Sequence, residues 1–304
     1  QDGSGYGIYG QRYAADGSAV GIEFPVNTTT SSNQVGSSVA ALDGGGFVVT
    51  WSSLDQDGNL YVVDIPFGRI FRISPAGAWT LVVEYDGWPN GLAVTLDGRI
   101  LVTDYRRGLM EVDARRGAMI AILATRNSES FKGLNDLHVA ASGSIYFTDQ
   151  GQTGLHDPTG RVFRLQPDGR LDCLLATGVS PNGIVLDRSE AVLFVAMTRD
   201  NAVWRAPVQR DGSLSKVGRF CTLFGTSGPD GLAMDDGNRL YVAHASLGSV
   251  FVFAANGECL ARIRSCAGTT CTNVTLSADE RTAYITESMS GSVLAADLSA
   301  LPAA

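Results

Sequence analysis

Apolar and polar positions along the chain fall into short bursts rather than helical stripes. Six apolar segments stand out: LYVVD (60–64), ILVTD (100–104), IYFTD (145–149), LFVAM (193–197), LYVAH (240–244) and AYITE (283–287). All are rich in β-branched and aromatic residues, the composition of strands. Their closing residues, Asp64, Asp104, Asp149, Met197, His244 and Glu287, recur every 40 to 48 positions. A second run follows each one, from GRIFRI (68–73) to GSVLAA (291–296), and a further run follows five of them, from TLVVEY (80–85) to CLARIR (259–264). Units of this length with four short strands specify a β-propeller, and no helical period competes. The expected fold is all-β: a six-bladed β-propeller of four-stranded antiparallel blades, closed into a ring that leaves no long sheet edge.

The last blade is one strand short. LSALPAA (298–304) is too brief and too rich in Pro and Ala to return as its fourth strand. The strand-like sequence left over lies at the front, in GIEFPVN (21–27), SVAAL (38–42) and FVVTW (47–51). FVVTW leads into the first blade. Pro25 lacks a backbone donor, so SVAAL is the expected partner of GSVLAA. Residues 1–53 are thus read as a fused front segment that partly completes a propeller spanning 54–304.

Composition narrows the partners. With 304 residues, 44% hydrophobic and 18% charged, the chain has enough apolar sequence for one large core. The net charge is −8 and no Lys/Arg cluster tracks phosphates, which excludes nucleic acid as an expected partner. No apolar run reaches the roughly 18 residues of a membrane span. The five cysteines are odd in number and lack zinc spacing, so free thiols are expected, with Cys266 and Cys271 as the one pair that a short loop allows. A monomer or dimer is expected in the cytoplasm, with secretion or the periplasm as the alternative that the front segment opens.

Candidate chemistry sits where each innermost strand begins. WPNGLAVT (88–95), SPNGIVLD (180–187) and GPDGLAMD (228–235) share a triplet that reads as a turn entering a strand. Counting back from the second strands aligns Thr50, Asn90, Asn135, Asn182, Asp230 and Asn273 as the first positions. In a propeller these face one mouth of the central channel. Four amides and one carboxylate then form a ring of hard oxygens suited to Ca²⁺, Mg²⁺ or Mn²⁺, and open to Zn²⁺. There is no G-x-S-x-G nucleophile motif. The three histidines are His138, His156 in the loop 150–160, and His244 at a second-strand end. Either of the last two is placed to polarise a substrate oxygen or carry a proton, against the commoner packing role of a lone histidine. Asp64, Asp104, Asp149 and Glu287 read as turn caps.

Residues 54–298 resemble the SMP-30/gluconolactonase/LRE-like family. The resemblance is carried by YVVDIPFGRIFRISPAG (61–77), WPNGLAV (88–94), GLNDLHV (133–139), FTDQGQTGLHDPTGRVFRL (147–165), SPNGIVLD, GPDGLAMD, SCAG (265–268) and ITES (285–288). It implies a divalent-metal-dependent hydrolase of sugar lactones or related small esters, acting in the central channel. On that resemblance Asn182 and Asp230 hold the cation, calcium first, and Asn135 faces the cation or the substrate. Asp230 is also the expected general base. Asn90, Asn135, Tyr105, His156 and His244 are the expected substrate contacts. The family's first-blade Glu ligand is replaced here by Thr50, within TWSS (50–53). That departure keeps two other readings open: a non-catalytic or metal-impaired ligand-binding propeller, and a promiscuous esterase or organophosphate hydrolase. Residues 1–53, beginning QDGSGYGIYGQRYAADGSAVG, resemble instead a repeat of large bacterial surface or secreted proteins, with a junction near 50–57.

Overall fold

The structure is a computed structural model that describes residues 9–13, 19–25 and 50–301. Six small antiparallel sheets follow one another in chain order. Blade 1 comprises Thr50–Leu54, Leu60–Asp64, Arg69–Ile73 and Trp79–Glu84; blade 2, Pro89–Val94, Ile100–Asp104, Gly108–Asp113 and Ala118–Leu123. Blade 3 comprises Leu134–Val139, Ile145–Asp149, Gly160–Leu165 and Leu171–Gly178; blade 4, Pro181–Leu186, Val192–Met197, Ala202–Pro207 and Gly218–Thr222. Blade 5 comprises Pro229–Met234, Leu240–His244, Ser249–Phe253 and Cys259–Arg264; blade 6, Cys271–Leu276, Thr282–Glu287 and Ser292–Asp297. Every inner strand touches the inner strand of the next blade, and that of blade 6 touches that of blade 1, so the ring closes as a six-bladed β-propeller.

The second strands explain why the repeat is legible. LYVVD, ILVTD, IYFTD and LYVAH are buried at all five positions. A strand clamped between neighbouring blades buries both faces, so it reads as a continuous apolar run rather than an alternation. The outermost strand Ala118–Leu123 of blade 2, by contrast, has no fully buried position. Aromatic side chains also pair across strands within a blade, as where Phe147 stacks on its partner Phe163 at 5.5 Å.

Blade 6 has three strands among the described residues, with Ser292–Asp297 outermost. The expected closing strand, SVAAL (38–42), lies outside the described residues. The other front candidate does not take its place: Ala19–Pro25 pairs with Tyr9–Tyr13 and with no blade strand among the described residues. Between blades 6 and 1 runs a groove of about 310 Å³, lined by Leu60, Ile73, Trp79, Tyr284 and Val293 among others. All five cysteines are free thiols, so the Cys266–Cys271 alternative is not realised. No helix among the described residues is long and apolar enough to cross a membrane.

Candidate functional site

The repeated triplet is not a turn. Pro89–Val94, Pro181–Leu186 and Pro229–Met234 are strands from the proline onward. In each, pairing with the second strand slips just after the proline, before Gly91 in blade 2 and before Ile184 and Leu232 in blades 4 and 5, a β-bulge that takes in the Asn or Asp. The same slip occurs in blades 3 and 6. A bulge inserts one residue and re-aims its side chain. Here it falls at Asn90, Asn135, Asn182 and Asp230, equivalent positions of consecutive blades.

The triplet glycines serve close approach rather than left-handed geometry; none of the three takes a positive φ. A Cβ on Gly183 would stand 2.3 Å from the Asp230 carbonyl oxygen, and one on Gly91 would stand 2.7 Å from that of Asn135. Gly91 and Gly183 therefore make room for the ring residue of the following blade. Second-strand threonines tie the same seam. Thr103 Oγ1 accepts the Gly91 N–H (2.9 Å) and donates to the Asn135 carbonyl (2.6 Å). Thr148 Oγ1 accepts the Asp136 N–H (3.0 Å) and donates to the Asn182 carbonyl (2.8 Å). From blade 4, Thr198 Oγ1 donates to the Pro229 carbonyl beside Asp230 (2.7 Å).

This seam leaves three oxygens without partners. Five buried side-chain N or O atoms lack one among the described residues, and Asn135 Oδ1, Asn182 Oδ1 and Asp230 Oδ1 are three of them. They stand at the ring positions of the consecutive blades 3, 4 and 5. An unsatisfied buried acceptor costs about 1–3 kcal/mol, so three side by side require an explanation. Asn135 is oriented by its amide: Nδ2 donates to Gln150 Oε1 (2.7 Å), and Gln150 Nε2 donates to Ser180 Oγ (2.9 Å). Asn182 lies against the Asp230 carboxyl group and favours its ionised form. Asn135 thus spends an N–H on Gln150 and presents its oxygen, as a cation ligand requires. Among the described residues no three His, Cys, Asp or Glu side chains converge as a metal cluster; this set is two amides and one carboxylate.

A second carboxyl group belongs to the site and was missed by the sequence reading. Asp136 occupies the position that is glycine in blades 2, 4 and 5; it is 6% exposed and accepts the Leu137 N–H at 2.8 Å. Burial pushes its pKa up to about 7. Burial and the neighbouring Asp136 charge push Asp230 up to about 8, against the opposing Asn182 amide and Arg199 charge. Asp230 is therefore the only acid at a ring position but not the only acid at the ring. The signal lay in GLNDL, where Asp replaces the glycine of PNG. Blade 6 also needs correction: its strand pairs Val274 with Ile285 as blade 2 pairs Leu92 with Val102, so Thr272 and not Asn273 takes the ring position. Asn273 matches Asp136 instead. The Thr50 side chain lies outside the described residues.

The other expected contacts divide. His156 lines a cavity of about 580 Å³ together with Gln150, Gln152, Ser180 and Arg199, so the cavity adjoins the residues that orient Asn135. Tyr105 stands behind that lining: its hydroxyl accepts from Gln152 Nε2 at 2.7 Å, and its ring covers Gly133. Asn90 is buried at the ring position of blade 2. His244 is not brought to the cavity. It is 0% exposed, with Nδ1 accepting the Ser246 N–H and Nε2 against Asn201 Oδ1, both at 3.4 Å. It occupies the slot of the second-strand acids, of which Asp64 does not cap its turn but pairs with Arg69 instead. Asp104 accepts the Arg106 and Arg107 N–H groups, Asp149 accepts that of Gly133, and Glu287 accepts that of Thr270.

The fold is that of a six-bladed β-propeller whose inner strands carry these polar side chains. Residues 48–299 match the SMP-30/Gluconolactonase/LRE-like region, and the chain belongs to that family. It is 31% identical over 218 residues to a gluconolactonase of Zymomonas mobilis, covering 66% of this chain and 60% of that one. It is 27% identical over 223 residues to the lactonase drp35 of Staphylococcus epidermidis, covering 69% and 67% respectively. The match thus spans about three-fifths to two-thirds of these relatives' lengths. A gluconolactonase structure from Xanthomonas campestris superposes with a TM-score of 0.74 at 23% identity, covering 84% of this chain and 87% of that one. The structure of a calcium-binding protein, regucalcin, from Agrobacterium tumefaciens superposes with a TM-score of 0.69 at 20% identity, covering 84% and 87%.

Proposed function

We propose that the chain is a divalent-cation-dependent lactone hydrolase acting at the mouth of its central channel. The observation that carries this reading is the trio of unpartnered oxygens on Asn135, Asn182 and Asp230. Membership of a family whose relatives include named lactonases supports the reaction type. The three oxygens would hold the cation, with calcium the first choice for an all-oxygen set. Such an ion supplies Lewis acidity toward a lactone carbonyl.

The chain's own residues supply the rest. Asp230, once ionised, accepts the proton of the attacking water; a base whose pKa lies near the working pH is well matched to that task. The nearby Asp136 charge helps keep that pKa high. Asn135, held by Gln150, fixes an oxygen at the centre of the site. The cavity lined by Gln150, Ser180 and His156 receives the ring of the substrate.

Cation binding should depend on pH with a definite sign. Without a cation, Asp230 titrates near 8 when folded and near 3.8 when unfolded. Its raised pKa therefore costs stability progressively as pH climbs from about 4 to about 8, when the unfolded chain ionises first. A cation that needs the ionised carboxylate should bind more tightly over the same climb and release protons near pH 7. Calcium titrations by calorimetry at pH 6 and 8.5, in buffers of differing ionisation heat, read both quantities. Affinity independent of pH, with no proton released, would contradict the assignment of Asp230 as ligand.

Ser180 offers a second test. It is a non-glycine residue with a φ of 58°, at the position that is glycine in blades 3 and 5 (Gly133 and Gly228). Left-handed backbone costs such a residue about 1 kcal/mol or more, and its hydroxyl is the one that holds Gln150. Ser180→Gly should therefore melt no lower than the parent, yet hydrolyse lactone roughly 10-fold more slowly, the worth of one hydrogen bond in positioning. Full activity would show that Gln150 and Asn135 do not depend on that hydroxyl.

A further inference from the structure

The cavity beside the ring carries charge of one sign. Arg199 and His156 line it together with amides, hydroxyls and apolar groups, and no carboxylate does. In a chain of net charge −8 that is a local inversion. Arg199 lies in the short turn Thr198–Asp200 after the second strand of blade 4, and the Thr198 hydroxyl anchors this turn one residue before Asp230. Several other arginines hold carboxylates: Arg161 pairs with Asp149 at 2.5 Å, Arg164 with Asp172 at 2.7 Å and Arg219 with Asp200 at 2.7 Å. Arg199 is exposed, and no ion pair or hydrogen bond holds it among the described residues. Its charge nevertheless acts on Asp230. Gly154 lies between these two side chains, since a Cβ there would stand 3.2 Å from His156 Nδ1 and 3.7 Å from Arg199 Cγ. The missing side chain leaves that space to a ligand.

We infer that the natural substrate is a lactone bearing a free carboxylate on or next to its ring, and that Arg199 receives this carboxylate. The inference rests on the hydrolase reading above and names its substrate class. A guanidinium matches a carboxylate with two parallel hydrogen bonds, which fix orientation as well as position. Held at Arg199, the acid group would direct the ring toward Asp230 and Asn135. A neutral sugar lactone would leave Arg199 without a partner.

The test separates anchoring from turnover. After dialysis against chelator, calorimetry compares tetrahydrofuran-2-carboxylate with the neutral 2-(hydroxymethyl)tetrahydrofuran, neither of which can be hydrolysed. The carboxylate should bind at least 10-fold more tightly, and Arg199→Ala should erase most of that preference, with Arg199→Lys keeping part of it. Equal affinities in the parent, or a preference that survives Arg199→Ala, would overturn the inference. In the hydrolysis arm, γ-valerolactone and 5-oxotetrahydrofuran-2-carboxylate are compared with calcium present. The kcat/KM ratio in favour of the acid should fall about 10- to 100-fold in Arg199→Ala. Turnover of the neutral lactone with no preference for the acid would refute the anchor while leaving the hydrolase reading intact. An anchoring preference without turnover of either lactone would support the anchor and refute the hydrolase reading.

Discussion

Replacing Asp230 by Asn should abolish lactone hydrolysis while the propeller stays folded. The substitution is nearly isosteric, and it removes a buried acid whose charge is disfavoured by burial and by Asp136. Cation-free Asp230→Asn protein should therefore melt at or above the parent temperature near pH 8, with a flatter dependence of stability on pH. Loss of a general base costs about 10²–10⁴-fold in rate, and the loss of an anionic cation ligand adds to that. The assay is lactone hydrolysis at saturating calcium, paired with thermal melts of both proteins. Activity within a few-fold of the parent would remove Asp230 from the mechanism.

The second large effect concerns closure of the ring. Removing residues 1–45 should produce insoluble protein, or protein that melts without cooperativity. Ser292–Asp297 is the outermost strand of blade 6 among the described residues, and five other blades carry a fourth strand at that place. Beside it, the groove between blades 6 and 1 is lined by large apolar side chains, and Trp79 Nε1 is buried there without an acceptor. An open edge and an uncovered apolar groove expose backbone donors and acceptors together with hydrophobic surface, a combination that drives aggregation. SVAAL (38–42) is the segment proposed to cover them. A soluble truncation that melts cooperatively would show that the ring holds without the front segment.

The blades were legible in the sequence because their second strands are buried on both faces, which concentrates apolar residues into runs that no surface strand matches. The ring was legible through PNG and PDG, whose Asn and Asp do mark the bulges of blades 2, 4 and 5. What the triplets concealed was physical purpose. Their glycines serve contact with the next blade, which is visible only once Gly183 is seen against the Asp230 carbonyl. Asp136 escaped notice because it stands where the repeat has glycine, and a lone Asp in a strand gives no local sign of its neighbour across the ring. The surroundings of His244 are hidden in the sequence for the same reason: its position says only that it ends a strand. The hydrogen bonds to Asn201 and Ser246 that occupy its ring depend on tertiary packing. Thr103 and Thr148 precede the capping Asp in each VTD or FTD, a signal present in the sequence whose meaning as a bridge between blades required the fold.

The most direct test is anomalous diffraction from crystals soaked with Mn²⁺ near pH 8, where Asp230 begins to ionise. A single peak should lie within about 2.0–2.6 Å of Asn135 Oδ1, Asn182 Oδ1 and an Asp230 carboxylate oxygen, the range of hard-cation to oxygen bonds. No peak at that position, with the three oxygens hydrogen-bonded to ordered water instead, would contradict a cation-dependent site.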